Sequence, residues 1–191
     1  MLNSLEEKIL ESFDIRARNF AILAHKKNDI ISAVKIIVEA IKNNNKLLFC
    51  GNGGSASDSN HLTAEFISRF KKERSSYPAI SLSANNSIVT AIANDYGFEN
   101  VFKRQIEGLG DENDVLIAIS TSGKSKNVLK AIEQAKKQKL KTILLTGKNE
   151  ENYDCDVVIK VSSIKTEEIQ EMHIAIGHII CEIAEKELNR G

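Results

Sequence analysis

Residues 46–66 read KLLFCGNGGSASDSNHLTAEF. A four-residue apolar run, Leu47 to Cys50, breaks at Gly51-Asn52-Gly53-Gly54-Ser55, and a polar stretch of helical character follows from Ser55 to Phe70. Strand, tight loop and helix form the unit from which parallel sheets are built. The same pattern recurs downstream. AISLS from 79, VLIAIS from 115, TILLT from 142 and DVVIKV from 156 are further candidate strands, and helices are expected over Ser87 to Ala93, Lys126 to Lys137 and Thr166 to Leu188. Before Leu47, apolar residues recur at helical spacing in two groups: Leu2, Leu5, Ile9, Leu10, Phe13, Ile15 and Phe20, then Ile30, Ile31, Val34, Ile37, Val38 and Ile41. The expectation is an α/β fold over 45–191 with a five-stranded parallel sheet, preceded by a helical hairpin over 1–44.

At 191 residues the chain fits one domain without linker or repeat. Charged residues make up 27% of it and the formal net charge is zero, so no basic surplus points to nucleic acid. Neither a signal peptide nor an 18-residue apolar run is present, which excludes a membrane span and makes the cytoplasm the expected location. Cys50, Cys155 and Cys181 are odd in number and far apart, as suits reduced thiols.

In an open parallel sheet, ligands bind beyond the carboxyl ends of the strands, so the turns after LLFC and VLIAIS are where chemistry is expected. The first is the glycine loop at 51–55; the second is Ser120-Thr121-Ser122-Gly123-Lys124-Ser125, and each leads into a helix. Glycines admit close approach, hydroxyls donate hydrogen bonds, and a helix start favours an anion, phosphate above all. One such loop alone is usually only a turn and a cap. Two of them imply a phosphorylated or polyhydroxylated ligand. Gly51-x-Gly53-x-x-Ala56 also fits the dinucleotide fingerprint, but the second strand ends Ser81-Leu82-Ser83-Ala84-Asn85 without the acid that would hold a ribose, and no Walker pattern is present. A nucleotide is the weaker alternative.

His61 and Glu65 stand four residues apart and therefore share a helix face, just past the glycine loop, where they could serve a metal or a proton transfer. An isolated pair of this kind is more often a surface contact. Gln170, His173 and His178 interrupt the apolar run of the last helix, where a single histidine is usually a core residue. Eight helical residues rise about 12 Å and turn about 80°, so Gln170 and His178 reach one ion only by leaning, through an irregular turn, or from different copies.

With CGNGGSASDSNHLTAEF, AIANDYGFENVF, DVLIAISTSGKSKNV and IQEMHIAIGH in this order, nearly the whole chain resembles the sugar isomerase (SIS) domain family, most closely its isomerases of seven-carbon sugar phosphates. The resemblance implies a homotetramer of flavodoxin-like three-layer subunits that converts D-sedoheptulose 7-phosphate into D-glycero-D-manno-heptose 7-phosphate, the first step toward nucleotide-activated heptose for lipopolysaccharide or capsule. By position it implies that Asn52, Gly53, Gly54, Ser55, Asn94, Asp95 and Gln170 line the sugar site and that Ser120, Thr121, Ser122 and Ser125 hold the phosphate. Glu65 corresponds to the family's base and His178 to its acid; His61, Glu65, Gln170 and His178 correspond to ligands of a zinc ion. The acidic residue three before the glutamine, Asp in some members, is Glu167 here. Other readings are a non-enzymatic SIS protein that binds the replication initiator, which lacks the glutamate and histidine, and another sugar-phosphate isomerase or sensor, commonly with extra domains.

Overall fold

A computed structural model describes residues 2–189, with Leu2 and Asn3 described by backbone alone, so the side chain of Leu2 and residues 1 and 190–191 lie outside the described residues. The chain runs α1 (Leu2–Leu23), α2 (Lys27–Lys42), β1 (Leu47–Gly51), α3 (Gly54–Ile67), β2 (Ala79–Ser81), α4 (Asn86–Tyr96), α5 (Val101–Leu109), β3 (Val115–Ser120), α6 (Lys126–Lys137), β4 (Lys141–Thr146), β5 (Val157–Lys160) and α7 (Thr166–Leu188). The strands form one parallel sheet of order β2-β1-β3-β4-β5, in the register Leu47 against Ala79 and Val115, Val115 against Lys141, and Ile143 against Val157. This is the flavodoxin-like order, whose switch point falls between β1 and β3.

Alternation along the strands splits the core in two. Leu47, Phe49, Ile117, Ile119, Ile143 and Leu145 face α2, α3 and α7, whereas Leu48, Cys50, Leu116, Ala118 and Leu144 face α5 and α6. Both faces of each central strand are buried, which is why these strands read as continuous apolar runs.

Beyond shifts of one residue, the ends of β2, α3 and α4 differ from the sequence expectations, and one helix is additional. The strand at 79 ends at Ser81, because Ser81 Oγ donates to Asn60 Oδ1 (2.6 Å) and Ser83 Oγ to Gly51 O (2.9 Å), turning polar bonds away from the ladder. The helix expected to reach Phe70 stops at Ile67, where the backbone N–H groups of Phe70, Lys71 and Lys72 turn to the Glu185 carboxylate at 3.0–3.1 Å. α4 runs on to Tyr96, and α5 was not expected at all. The two leading helices are joined by a turn of 3₁₀ helix, Ala24–Lys26, and pack on α7 more than on each other.

Candidate active site

The glycine loop closes β1 against the start of α3. A Cβ on Gly54 would stand 2.5 Å from Gln170 Nε2, so the absent side chain lets α7 lay its glutamine on the loop. Ser83 bridges both polar groups of Gly51, donating to its carbonyl at 2.9 Å and accepting from its N–H at 3.3 Å. Asn52 reaches across the switch point to Asn127 in the first turn of α6: each carboxamide donates to the other's oxygen, at 2.9 and 2.8 Å.

Ser120 to Ser125 link β3 to α6. Ser125 occupies the N-cap position of α6, yet its hydroxyl makes no capping bond and accepts from Ser120 Oγ at 3.2 Å. A helix start without its side-chain cap is disposed to receive an anion. Ser122 Oγ accepts from Lys124 N at 3.1 Å, and Gly147 N donates to Thr121 O at 3.0 Å from the β4 side. Gly123 has φ +69°, a left-handed conformation, and an added Cβ would overlap the Tyr153 hydroxyl, so this position requires glycine.

A third group gathers where α3 passes α7. His61 Nε2 lies 2.8 Å from His178 Nε2 and 3.4 Å from Glu65 Oε1, and one ligand atom from each residue falls within 4.8 Å of the others. The Phe70 ring covers His178 at 5.6 Å between centroids. Two imidazoles and a carboxylate are donors that zinc accepts, so these three residues fit the ion expected there. The cluster does not stand just past the glycine loop. Seven and eleven helical residues separate Gly54 from His61 and Glu65, about 10 and 16 Å along α3. Gln170, the fourth expected ligand, is on Gly54.

Asn94 and Asp95 stand exposed near the end of α4, and Asn94 donates to Asp95 Oδ1 at 2.7 Å. Glu167 lies exposed in the first turn of α7. Its neighbour Glu168 is buried, and hydrogen bonds from Ser163, then Asn19 and Lys165, hold its carboxyl down to about 2. His173 is fully buried, which lowers it to about 4 against the opposing pull of the Thr146 backbone.

Sequence reasoning did not single out Asn127, Tyr153 or Phe70. An asparagine in a first helical turn directly behind a Ser/Thr loop was the available signal for the first. Nothing in the spacing of Tyr153 or Phe70 indicates that long connections fold them onto the site.

The SIS domain profile matches residues 14–147. A phosphoheptose isomerase of Nitratiruptor sp. is 50% identical over 189 residues, covering 97% of this chain and 99% of the relative. The solved phosphoheptose isomerase of Neisseria gonorrhoeae superposes with TM-score 0.88 at 34% identity, covering 95% of this chain and 99% of its own. That of Francisella tularensis gives 0.89 at 34%, with 94% and 97% covered.

Proposed function

The chain belongs to the SIS domain family and, within it, to the phosphoheptose isomerases, and on that footing we propose that it interconverts D-sedoheptulose 7-phosphate and D-glycero-D-manno-heptose 7-phosphate. The observation that carries the reading is the convergence of Glu65 and His178 from different helices, within 4.8 Å of each other. A ketose becomes an aldose when a proton moves from C1 to C2 through an enediol. Glu65 takes the C1 proton, the C1–H electron pair forms the C1–C2 double bond and the C2 carbonyl π pair moves onto O2, which takes a proton; O1 then gives up its proton, the C1 carbonyl forms, and the C1–C2 π pair takes the proton back from the same carboxyl at C2. His178 moves the proton between the two oxygens. Ser120, Thr121, Ser122 and Ser125 receive the phosphate, and the Asn52 to Ser55 loop with Asn94, Asp95 and Gln170 receives the hydroxyls. His61, Glu65 and His178 would hold zinc; the resemblance adds Gln170 as a fourth ligand, although its side chain lies on Gly54 and not in this cluster. Such an ion, when bound, polarises substrate oxygens as a Lewis acid.

The distance along α3 between the glycine loop and Glu65 favours a site shared between copies. Leu5, Ile9, Leu10 and Phe13 leave an apolar face on α1 open to solvent, and a groove of about 600 Å³ between α2 and α7 is lined by Ile31, Val34, Val38 and Ile183. Faces of that kind are covered by another chain, here in a homotetramer of single-domain subunits. No described helix is long and apolar enough to cross a membrane, and the free thiols of Cys50, Cys155 and Cys181 agree with a reducing cytoplasm.

The test is to follow sedoheptulose 7-phosphate by NMR in the presence of the purified protein, with and without added zinc. Appearance of the aldose phosphate is expected; no conversion under either condition would sink the isomerase reading.

A further inference from the structure

The sugar loop and the phosphate loop leave the neighbouring strands β1 and β3, whose pairing up to Gly51 and Ile119 fixes the roots of the two loops but not the residues beyond them. Past the end of the sheet the loops are joined by the Asn52–Asn127 carboxamide pair, closed in both directions at 2.9 and 2.8 Å. Asn127 is buried, 3% exposed, on α6 directly behind the Ser/Thr loop. Its Oδ1 also accepts from Val128 N at 3.0 Å. An amide oxygen already facing a backbone donor cannot be exchanged for its NH₂ end without opposing two donors, so the orientation of Asn127 is set by its own helix. Asn127 then sets Asn52: the Asn52 NH₂ must meet Oδ1 of Asn127, and the Asn52 oxygen must meet the Asn127 NH₂. Asn52 is only half-buried and keeps one N–H and one lone pair beyond the pair, directed by it.

We propose that Asn127 is a positioning residue for the reaction, locking the glycine loop that receives the sugar to the helix whose start receives the phosphate. The proposal rests on the isomerase reading for the substrate and on the observed hydrogen bonds for the lock. A substrate gripped at both ends is held for proton transfer only while the two grips keep their spacing. A misplacement of about 1 Å costs on the order of a hundred-fold in rate. Phosphate alone touches one of the two loops and is indifferent to the lock.

Asn127→Ala removes the pair without orphaning its helix, since Val128 N also donates to Ser125 O at 3.0 Å. Wild type, Asn127→Ala, Asn52→Ala and the double variant are compared in turnover of sedoheptulose 7-phosphate, in calorimetric binding of that ester and of inorganic phosphate, and in melting temperature. Asn127→Ala is expected to lose about ten-fold or more in kcat, roughly 1.4 kcal/mol. Its inorganic phosphate affinity and melting temperature should stay close to wild type. The two single losses should fail to multiply in the double variant, because either one alone breaks the same pair. A wild-type kcat in Asn127→Ala, losses that multiply, or phosphate binding that falls in step with kcat overturns the proposal while leaving the isomerase reading intact. If the wild type binds the ester but does not turn it over, the isomerase reading fails alone. The lock is then judged by binding: Asn127→Ala must weaken the sugar ester more than inorganic phosphate, and equal weakening, or no binding by the wild type, overturns it.

Discussion

His61 and His178 place their Nε2 atoms 2.8 Å apart, a separation that requires one ring to donate and the other to accept. In the proposed mechanism His61 serves as a zinc ligand and takes no step in the proton transfer, so it separates metal binding from chemistry. His61→Ala is expected to lose bound zinc on dialysis, as read by metal content, with zinc affinity falling about ten-fold or more. Retention of stoichiometric zinc would remove His61 from the donor set. At the proposed phosphate loop, Gly123→Ala combines a left-handed φ with an overlap on the Tyr153 hydroxyl. A loss of roughly 1–3 kcal/mol in unfolding free energy is expected, together with weaker binding of inorganic phosphate in a titration. At this scale the sequence was readable where function and periodicity coincide. Glu65 follows His61 by one helical turn, and that spacing alone places the two together. The contacts of Asn52 with Asn127, and of Gln170 with Gly54, join residues 75 and 116 positions apart, and no local pattern encodes them.

Among the elements, the end of α3 is held from a distant one. Arg74 and Glu185 form an ion pair at 3.2 Å with both side chains 3% exposed, and Arg74 also donates to the carbonyls of Glu65 and Phe66 at 2.8 and 2.9 Å. The free carbonyls at the end of α3, including that of the proposed base, are thereby held by a side chain anchored on α7. Arg74→Ala leaves the Glu185 charge buried and unpaired, so chemical denaturation should show a loss of about 3–5 kcal/mol. Burial pushes the Glu185 carboxyl up, but the N–H groups of Lys71, Phe70 and Lys72 and the charge of Arg74 bring it below its ordinary value. A folded-state value below the unfolded one stabilises the protein above the ordinary carboxylate range, near pH 4.3, and that contribution is lost as pH falls through the folded value. The melting temperatures of the wild type and Glu185→Gln should therefore converge as pH falls below the ordinary carboxylate range; a constant gap contradicts this account. The same anchor explains why α3 was expected to run three residues too far. Its apolar and polar pattern continues past Ile67, and what stops it is a carboxylate more than a hundred residues away. α5 escaped for the opposite reason: nine residues, with Val101, Phe102 and Ile106 as its apolar face, are too few to establish a period.

For the whole molecule, the parallel sheet was legible because burial on both faces writes itself as uninterrupted apolar runs at 47, 115 and 142. Strand order was not, since order depends on which crossover passes which face. The apolar face of α1 was visible as a helical stripe, and the fold sharpens it: α1 is held to the rest of the chain by Arg16 to Glu171 at 2.9 Å and Asn19 to Glu168 at 3.0 Å, leaving Ile9 and Phe13 uncovered. If the proposed tetramer forms through this face, placing glutamate at both Ile9 and Phe13 is expected to shift the sedimenting species toward smaller forms and to reduce turnover with it. An unchanged sedimenting species would place the interface elsewhere.

The proposed role of Glu65 in carrying the proton between C1 and C2 is decided by NMR of sedoheptulose 7-phosphate in deuterated water with the wild type and Glu65→Gln, each first shown to bind the ester. The expected result is aldose phosphate from the wild type and a rate lower by about a hundred-fold or more from the variant. Conversion by Glu65→Gln at close to the wild-type rate would contradict it.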